Sequence, residues 1–431
     1  MALTGRTGLL GVLASVLVLL VPLDGWMLLI VALVLLAGVL ADLALAASAR
    51  RVRFERSGDT AIRLGESATV TLTVANPSRR RLRGRLRDAW PPSAAALPRD
   101  VPLDVPAGER RRVATVLTPT RRGDRRAAAV AVRCTGPLGL AARQAVHEVP
   151  WTVRVLPPFH SRRHLPAKLS RLRELDGQHR AMIRGQGSEF DSLREYVPGD
   201  DVRSIDWRAT ARATSVVVRT WRPERDRRIL IVLDTGRTSA GRVGDTPRLD
   251  HSLDAALLLA ALAARAGDRV EFLAFDRRVR AHVRSAGTSD VLPALVQAMA
   301  PLEAELVESD AGALVATLLG RARQRALVVL LTDLNAAAVE EGLLPVLPAL
   351  TARHLVLVAA VADPRVERMA AGRGDAPSVY AAAAAETART ERRRVTAELR
   401  KRGVEVVDAE PERIAPALAD AYLALKAQGR L

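Results

Sequence analysis

The sequence predicts a multidomain protein: an N-terminal transmembrane helical hairpin, a β-sandwich of immunoglobulin or fibronectin type, and a doubly wound α/β domain. Three observations predict it. Two runs that are apolar on every face open the chain, Gly8 to Leu23 and Trp26 to Ala47, parted by the turn pair Asp24-Gly25. Residues 51–157 then alternate apolar and polar positions in short segments punctuated by Pro, Gly, Asn and Asp. From Arg227 onward, continuous apolar runs ending in Asp alternate with helical patterns. The expected segments are 1–50 for the hairpin, 51–157 for the β-sandwich, 158–226 for a charged connector and 227–431 for the α/β domain.

A helix rises about 1.5 Å per residue, so the first apolar run reaches roughly 24 Å and the second spans a bilayer core more comfortably. A signal peptide is the competing reading, and Ala47-Ser48-Ala49 resembles a cleavage site. A signal carries one apolar core, however, and here two are separated by a polar turn, which favours the hairpin. Arg6 precedes the first run, Arg50, Arg51 and Arg53 follow the second, and the turn carries only Asp24. The positive-inside rule then places both ends, and the bulk of the chain, in the cytoplasm. Asp42, near the inner end of the second run, is expected to snorkel or pair towards Arg50.

Composition narrows the function. The formal charge is +18 over 431 residues, nearly all from Arg, with Lys only at 168, 401 and 426. Heavy Arg, Ala and Leu usage with scarce Lys has the look of a coding bias, which weighs against a nucleic-acid footprint. Cys134 is alone, so the chain forms no internal disulfide and no Cys-rich metal site. The His residues show no metalloprotease spacing, and neither a phosphate loop nor a dinucleotide fingerprint is present.

In the β-region, Glu66–Ser78, Arg112–Pro119, Ala127–Cys134 and Trp151–Pro157 read as strands, with Thr118–Asp124 as a hairpin connection and Gly136–Leu140 as a second turn. In the α/β region, strands end at Asp234, Asp276, Asp333 and Asp363, and a last strand lies near Val404–Glu410. Ligands of a parallel sheet sit beyond the carboxyl ends of its strands, so these acids crown the functional edge. Val232–Thr238 has the outline of a phosphatase signature, but Gly236 stands where a second acid is needed to protonate the leaving group. A divalent cation suits the residues better: Asp234, Thr238, Ser309 and Asp333 offer the carboxylate and hydroxyl oxygens that Mg²⁺ takes.

The densest cluster of charge and aromatics is "GSEFDSLREYVPGDDVRSIDWRATAR", Gly187 to Arg212. Its candidate site residues are Glu189, Arg194, Tyr196, Pro198, Gly199, Asp200, Asp201, Arg203, Asp206, Trp207 and Arg208. Pro198–Asp200 marks a turn, and Asp200 or Asp201 is placed to cap a helix running from Val202 to Arg212. On such a helix Arg203 and Trp207 share a face. Two readings stand: ion pairs that clamp the segment onto the α/β domain, or a docking surface anchored by Arg and Trp. It contains no His and no base–nucleophile pair.

Asp234-Thr235-Gly236-Arg237-Thr238 resembles the adhesion motif of von Willebrand factor A domains, with Asp333 and Ser309 near that family's further metal-binding positions. More specifically, Glu189–Arg212, together with the Thr118–Asp124 and Gly136–Leu140 segments and the N-terminal hairpin, resembles the bacterial group called domain of unknown function 58. That resemblance implies a non-catalytic adaptor or scaffold in the bacterial inner membrane, partnered with a MoxR-type AAA+ ATPase in a chaperone-like or assembly role. An A-type domain also implies Mg²⁺, whose open side a partner's carboxylate completes. Gly236, which has no hydroxyl, departs from that pattern. Two other classes remain: a Mg²⁺-dependent phosphohydrolase using Asp234 and Asp333, and a basic module binding anionic lipid or nucleic acid.

Overall fold

The computed structural model describes residues 2–20, 25–182, 189–198, 200–222, 227–284 and 290–431. The chain divides into two compact units, Met1–Pro158 and Phe159–Leu431.

In the first unit, the apolar runs form helices Gly5–Leu20 and Gly25–Leu45. Among the described residues, only the second helical stretch is long and apolar enough by itself to cross a membrane. The β-region behind them is layered. An antiparallel sheet orders Ala2–Leu3, Ala141–His147, Ala129–Thr135, Leu82–Ala89 and Asp100–Val105. A second orders Arg53–Gly58, Ala68–Ala75 and Arg110–Leu117. Alternation works as expected: Ala68, Val70, Leu72 and Val74 point inward while the threonines between them face outward. Leu72, Val74 and Val113 share one core with Leu82, Leu86, Val130 and Val132 of the facing sheet. Inside the unit, Arg56 and Asp88 form a fully buried two-bond ion pair at 2.6 and 2.9 Å, which the Trp90 indole closes by donating to Asp88 at 2.9 Å.

Two details differ from the sequence expectation. Thr118–Asp124 is not a hairpin. It leaves Arg110–Leu117 and enters Gly123–Arg126, which pairs in a third sheet with Thr152–Leu156, so the segment changes sheets. Asp42 neither snorkels nor pairs with Arg50. It is fully buried, and its carboxylate accepts the backbone amides of Leu138, Leu140 and Ala141 at 2.7, 2.7 and 2.8 Å. The Gly136–Leu140 turn is thus a seat for that carboxylate. A Cβ at Gly136 would collide with Asp42, and Gly139 adopts φ +69°, a left-handed conformation suited to glycine. The start of the first helix grips the same turn, Thr4 donating its amide to the Leu140 carbonyl at 3.1 Å and its hydroxyl to the same oxygen at 3.0 Å.

The second unit centres on a six-stranded sheet. Its strands are β1 (Arg228–Asp234), β2 (Arg269–Phe275), β3 (Val279–Arg284), β4 (Leu327–Leu331), β5 (Leu355–Val361) and β6 (Glu405–Ala409). Their spatial order is β3-β2-β1-β4-β5-β6. All neighbours are parallel except the edge strand β3, which runs antiparallel to β2, so the sheet is mixed where a purely parallel one was expected. The central strands are apolar throughout because both faces are covered. Helices α1 (Arg248–Arg265) and α6 (Pro411–Ala427) pack together and against the sheet. The opposite core joins Leu230, Val328 and Val356 to α3 (Ala311–Arg321), α4 (Leu344–Thr351) and α5 (Ala376–Lys401). Helix α2 (Val291–Met299) lies between β3 and α3 in the chain.

Candidate functional site

Strand β1 ends at Asp234, and the chain turns at once into a single helical turn, Arg237–Ala240. The Asp234 carboxylate is surrounded by the chain's own donors. Oδ1 accepts the Gly236 amide at 2.8 Å and the Ser309 hydroxyl at 2.5 Å. Oδ2 accepts Thr332 at 2.7 Å and Thr238 at 3.2 Å. Asp234, Thr238 and Ser309 therefore meet as the sequence suggested, and Thr332, which sequence reading missed, completes the set. Only its place beside Asp333 at the end of β4 could have flagged it. Gly236 lacks a hydroxyl for a spatial reason: a Cβ there would collide with Ser309 Oγ and crowd the Val307 carbonyl.

Asp333 has other company. Its Oδ1 accepts from Arg392 of α5 at 2.8 Å and its Oδ2 from Arg248 of α1 at 2.9 Å. Arg392 also makes two bonds to Asp408, at 2.7 and 2.8 Å. Burial opposes the Arg392 charge, but Asp408 and Asp333 more than offset it and hold the guanidinium firmly protonated. Neither arginine carried a sequence signal, because each arrives from a helix distant in the chain. Asp276, at the end of β2, is buried and accepts the amides of Arg277 and Arg278, the Thr235 hydroxyl and the Arg280 guanidinium. Burial alone would raise its pKa; the amides and Arg280 outweigh that and hold it below the usual carboxylate value. Asp363 sits apart in role, capping Pro364–Ala370 through the Arg365 amide at 2.9 Å.

A cavity of about 270 Å³ opens at this edge, with Asp234, Thr238 and Ser309 on its polar side and Leu314 and Leu343 on its apolar side. The hydroxyls and Asp234 are hard oxygen donors of the kind Mg²⁺ prefers. Asp333 does not fit that shell: both its oxygens are held by guanidinium groups, whose positive charge opposes a cation beside them. Among the described residues, no group of three or more His, Cys, Asp or Glu side chains is placed to hold a metal.

The Glu189–Arg212 segment folds with the residues after it into an antiparallel ribbon, Glu189–Glu195 against Val217–Arg222. The helix expected from Val202 to Arg212 is instead two short pieces. Asp201 caps a 3-10 turn, Val202–Ser204, and Asp206 caps a one-turn helix, Trp207–Thr210. Ile205 lies between them in extended backbone and bridges to Val218, so Arg203 and Trp207 occupy separate elements and share no helical face. Asp206 splits the helix because its side chain takes the amides of Arg208 and Ala209 at 2.9 and 3.0 Å and the Arg219 guanidinium at 2.7 Å. The backbone amides and Arg219 hold its carboxyl below the usual value.

The turn before this is closed by Arg194, bonded twice to Asp200 at 2.8 and 2.5 Å, while Asp200 also accepts the Val197 amide. Tyr196 is half-buried and donates its amide to Val216 at 2.7 Å. Pro198 and Arg208 are exposed, and Trp207 is 68% exposed. Among the described residues the ion pairs of this ribbon are Arg194 to Asp200 within the segment and Arg219 of the Val217–Arg222 strand to Asp206, and neither reaches the six-stranded sheet. Gly199 lies outside the described residues, and Glu189 is described by its backbone alone.

Fold and site together define a two-unit protein with an apolar N-terminal helix, a β-rich unit, and an α/β unit whose edge acids are tied up internally. A family model described as "Protein of unknown function DUF58" matches residues 192–406, and the chain belongs to that family. Similar relatives include the uncharacterized proteins Rv1480 of Mycobacterium tuberculosis and Mb1516 of Mycobacterium bovis, each 28% identical over 193 residues. That match covers 44% of this chain and spans 60% of the relatives' own length. Among solved structures, the CARDB domain of the PF1109 protein from Pyrococcus furiosus, crystallised with di-metal ions, is 15% identical with a TM-score of 0.19, covering 24% of this chain and 91% of that one. A β-glucosidase from Listeria innocua is 20% identical with a TM-score of 0.15, covering 23% and 16%. Likenesses this partial carry no argument about function.

Proposed function

We propose that the chain is a non-catalytic, membrane-anchored adaptor that engages another protein, a MoxR-type AAA+ ATPase in a chaperone-like or assembly role. The observation that carries this reading is Trp207, 68% exposed within the most densely charged segment of the chain. A large aromatic left in water beside arginines is the composition of a binding hot spot. The finer architecture belongs to the same proposal. The order β3-β2-β1-β4-β5-β6 and the hydroxyls gathered on Asp234 support a divergent von Willebrand A-type domain. The β-rich unit grips both Thr4 and Asp42, which supports a hairpin whose two ends lie on one membrane face. Ala47, Ala49 and Val52 are core residues of that unit, which supports retention of the apolar segment over cleavage as a signal. With the flanking arginines, this favours the bacterial inner membrane with the bulk of the chain in the cytoplasm.

The test is affinity capture from native membranes, run on wild type and on Trp207→Ala and Arg208→Ala. The expected result is an AAA+ ATPase that co-purifies with wild type and is depleted in both variants. Recovery of no ATPase with wild type removes the proposal's basis. The enzymatic reading needs a free Asp234 and Asp333, and both are engaged. The purified chain is therefore expected to show no Mg²⁺-dependent hydrolysis of p-nitrophenyl phosphate, and turnover that Asp234→Asn abolishes would replace the adaptor with a hydrolase.

A further inference from the structure

We infer that the surface presented by Val197, Val202, Arg203, Trp207, Arg208 and Arg212 is a docking site for an acidic protein segment that also carries apolar side chains, an inference that rests on the adaptor reading. Charge is sorted within this part of the chain. The acids here are committed to the segment's own donors: Asp200 to Arg194, Asp206 to Arg219 and two amides, Asp201 to the Arg203 amide, and Glu195 to the Ser215 hydroxyl at 2.7 Å. The arginines are not treated alike. Arg194 and Arg219 are paired, whereas the side chains of Arg203, Arg208 and Arg212 are exposed and meet no acceptor among the described residues. The acids are bonded to internal donors, and three guanidinium groups are left in water.

Apolar surface is interleaved with them. Val197 is 56%, Val202 61% and Trp207 68% exposed. Short ordered elements position this surface: the Asp201-capped turn carries Val202 and Arg203, and the Asp206-capped turn carries Trp207 and Arg208. Unpaired arginine beside exposed Trp and Val calls for carboxylates on the partner with an aliphatic or aromatic residue between them, since charge complementarity selects and orients while the apolar contacts supply affinity. An anionic membrane is the poorer match. The exposed apolar residues sit on two separate short turns rather than along one face of an amphipathic helix, the form that lies in a bilayer interface.

The test uses the full chain in phosphatidylcholine nanodiscs and fluorescein-labelled octapeptides of alternating Glu-Leu, Lys-Leu and Glu-Ser, read by anisotropy. The Glu-Leu peptide is expected to bind at least about tenfold more tightly than the other two, and Trp207→Ala to weaken it about tenfold. The combined change Arg203→Glu, Arg208→Glu and Arg212→Glu is expected to abolish binding, while Lys at the same three positions keeps it within a few-fold. An equal charge reversal on the first unit, Arg110→Glu with Arg111→Glu and Arg112→Glu, leaves it unchanged. The inference is overturned if the Lys-Leu peptide binds as well, or if the two triple reversals behave alike. It is also overturned if phosphatidylglycerol vesicles displace the peptide from wild type. Capture separates this from the parent proposal. An ATPase retained equally by wild type and by the 203/208/212 reversal keeps the adaptor and removes this surface. Peptide binding without any captured ATPase does the reverse.

Discussion

At the scale of single residues, the acids decide most. Asp42 is buried and serves three backbone amides, two of them buried, so its removal strands the Leu140 and Ala141 donors away from water. Each costs roughly 1–3 kcal/mol when unsatisfied, so Asp42→Ala is expected to destabilise the first unit by about 3 kcal/mol or more. Thermal melting in detergent and protease cutting at residues 136–141 measure it, and an unchanged melt would show that the carboxylate is not the anchor. Gly236→Ser reinstates a hydroxyl but drives a Cβ into Ser309 and the Val307 carbonyl. The expected cost is about 1–3 kcal/mol, as for other overpacked sites, seen as a lowered melting temperature. Asp276 is held below its ordinary pKa, so the stability it contributes is present above the ordinary carboxylate range and lost as pH falls through its folded value. Asp276→Asn should therefore flatten the acid limb of stability below about pH 4, where wild type falls. Cys134, buried in the β-core with its thiol pushed up to about 11, should stay unmodified by maleimide until the unit unfolds.

At the scale of elements, the Glu189–Arg212 segment shows how caps override periodicity. The spacing from Val202 to Arg212 suits a helix, yet Asp201 and Asp206 each begin a new turn by bonding amides just ahead of themselves. The consequence is a surface on which Trp207 contributes little to folding. Trp207→Ala is expected to leave the melting temperature within the range of ordinary surface changes, about 0.5 kcal/mol, while depleting the captured partner. Asp206→Ala should instead speed hydrogen exchange at the Arg208 and Ala209 amides, because both bond its carboxylate. Slow exchange in that variant would mean that the turn holds without its cap.

At the scale of the whole molecule, the two compact units are built differently, the first with the apolar helix at its start. Asp42 of the second helix is held by the Leu138, Leu140 and Ala141 amides, and Ala47, Ala49 and Val52 just after the helix lie in the β-core, so the end of the helix and the β-sheets belong to one unit. Deleting residues 1–51 is expected to unfold the β-rich unit, whereas residues 159–431 expressed alone should give a cooperative melting transition. Circular dichroism of the two fragments decides it, and a stable β-rich unit without the helices would refute the shared core. The β-region's turn at Gly136–Leu140, which reads as a plain connection, is better described as the socket for Asp42 of the apolar helix.

Sequence alone determined what local periodicity encodes: the apolar runs, the alternating strands, the buried strands ending in Asp234, Asp276 and Asp333, and the charged segment's singularity. Those signals live within a few residues, where side-chain direction follows the backbone repeat. Tertiary structure decided what each acid does. Thr332 reaches Asp234 from 98 residues away, and Arg248 and Arg392 reach Asp333 across 85 and 59. A carboxylate's chemistry depends on which donors the closed chain brings within about 3 Å, and no repeat in the sequence records that distance.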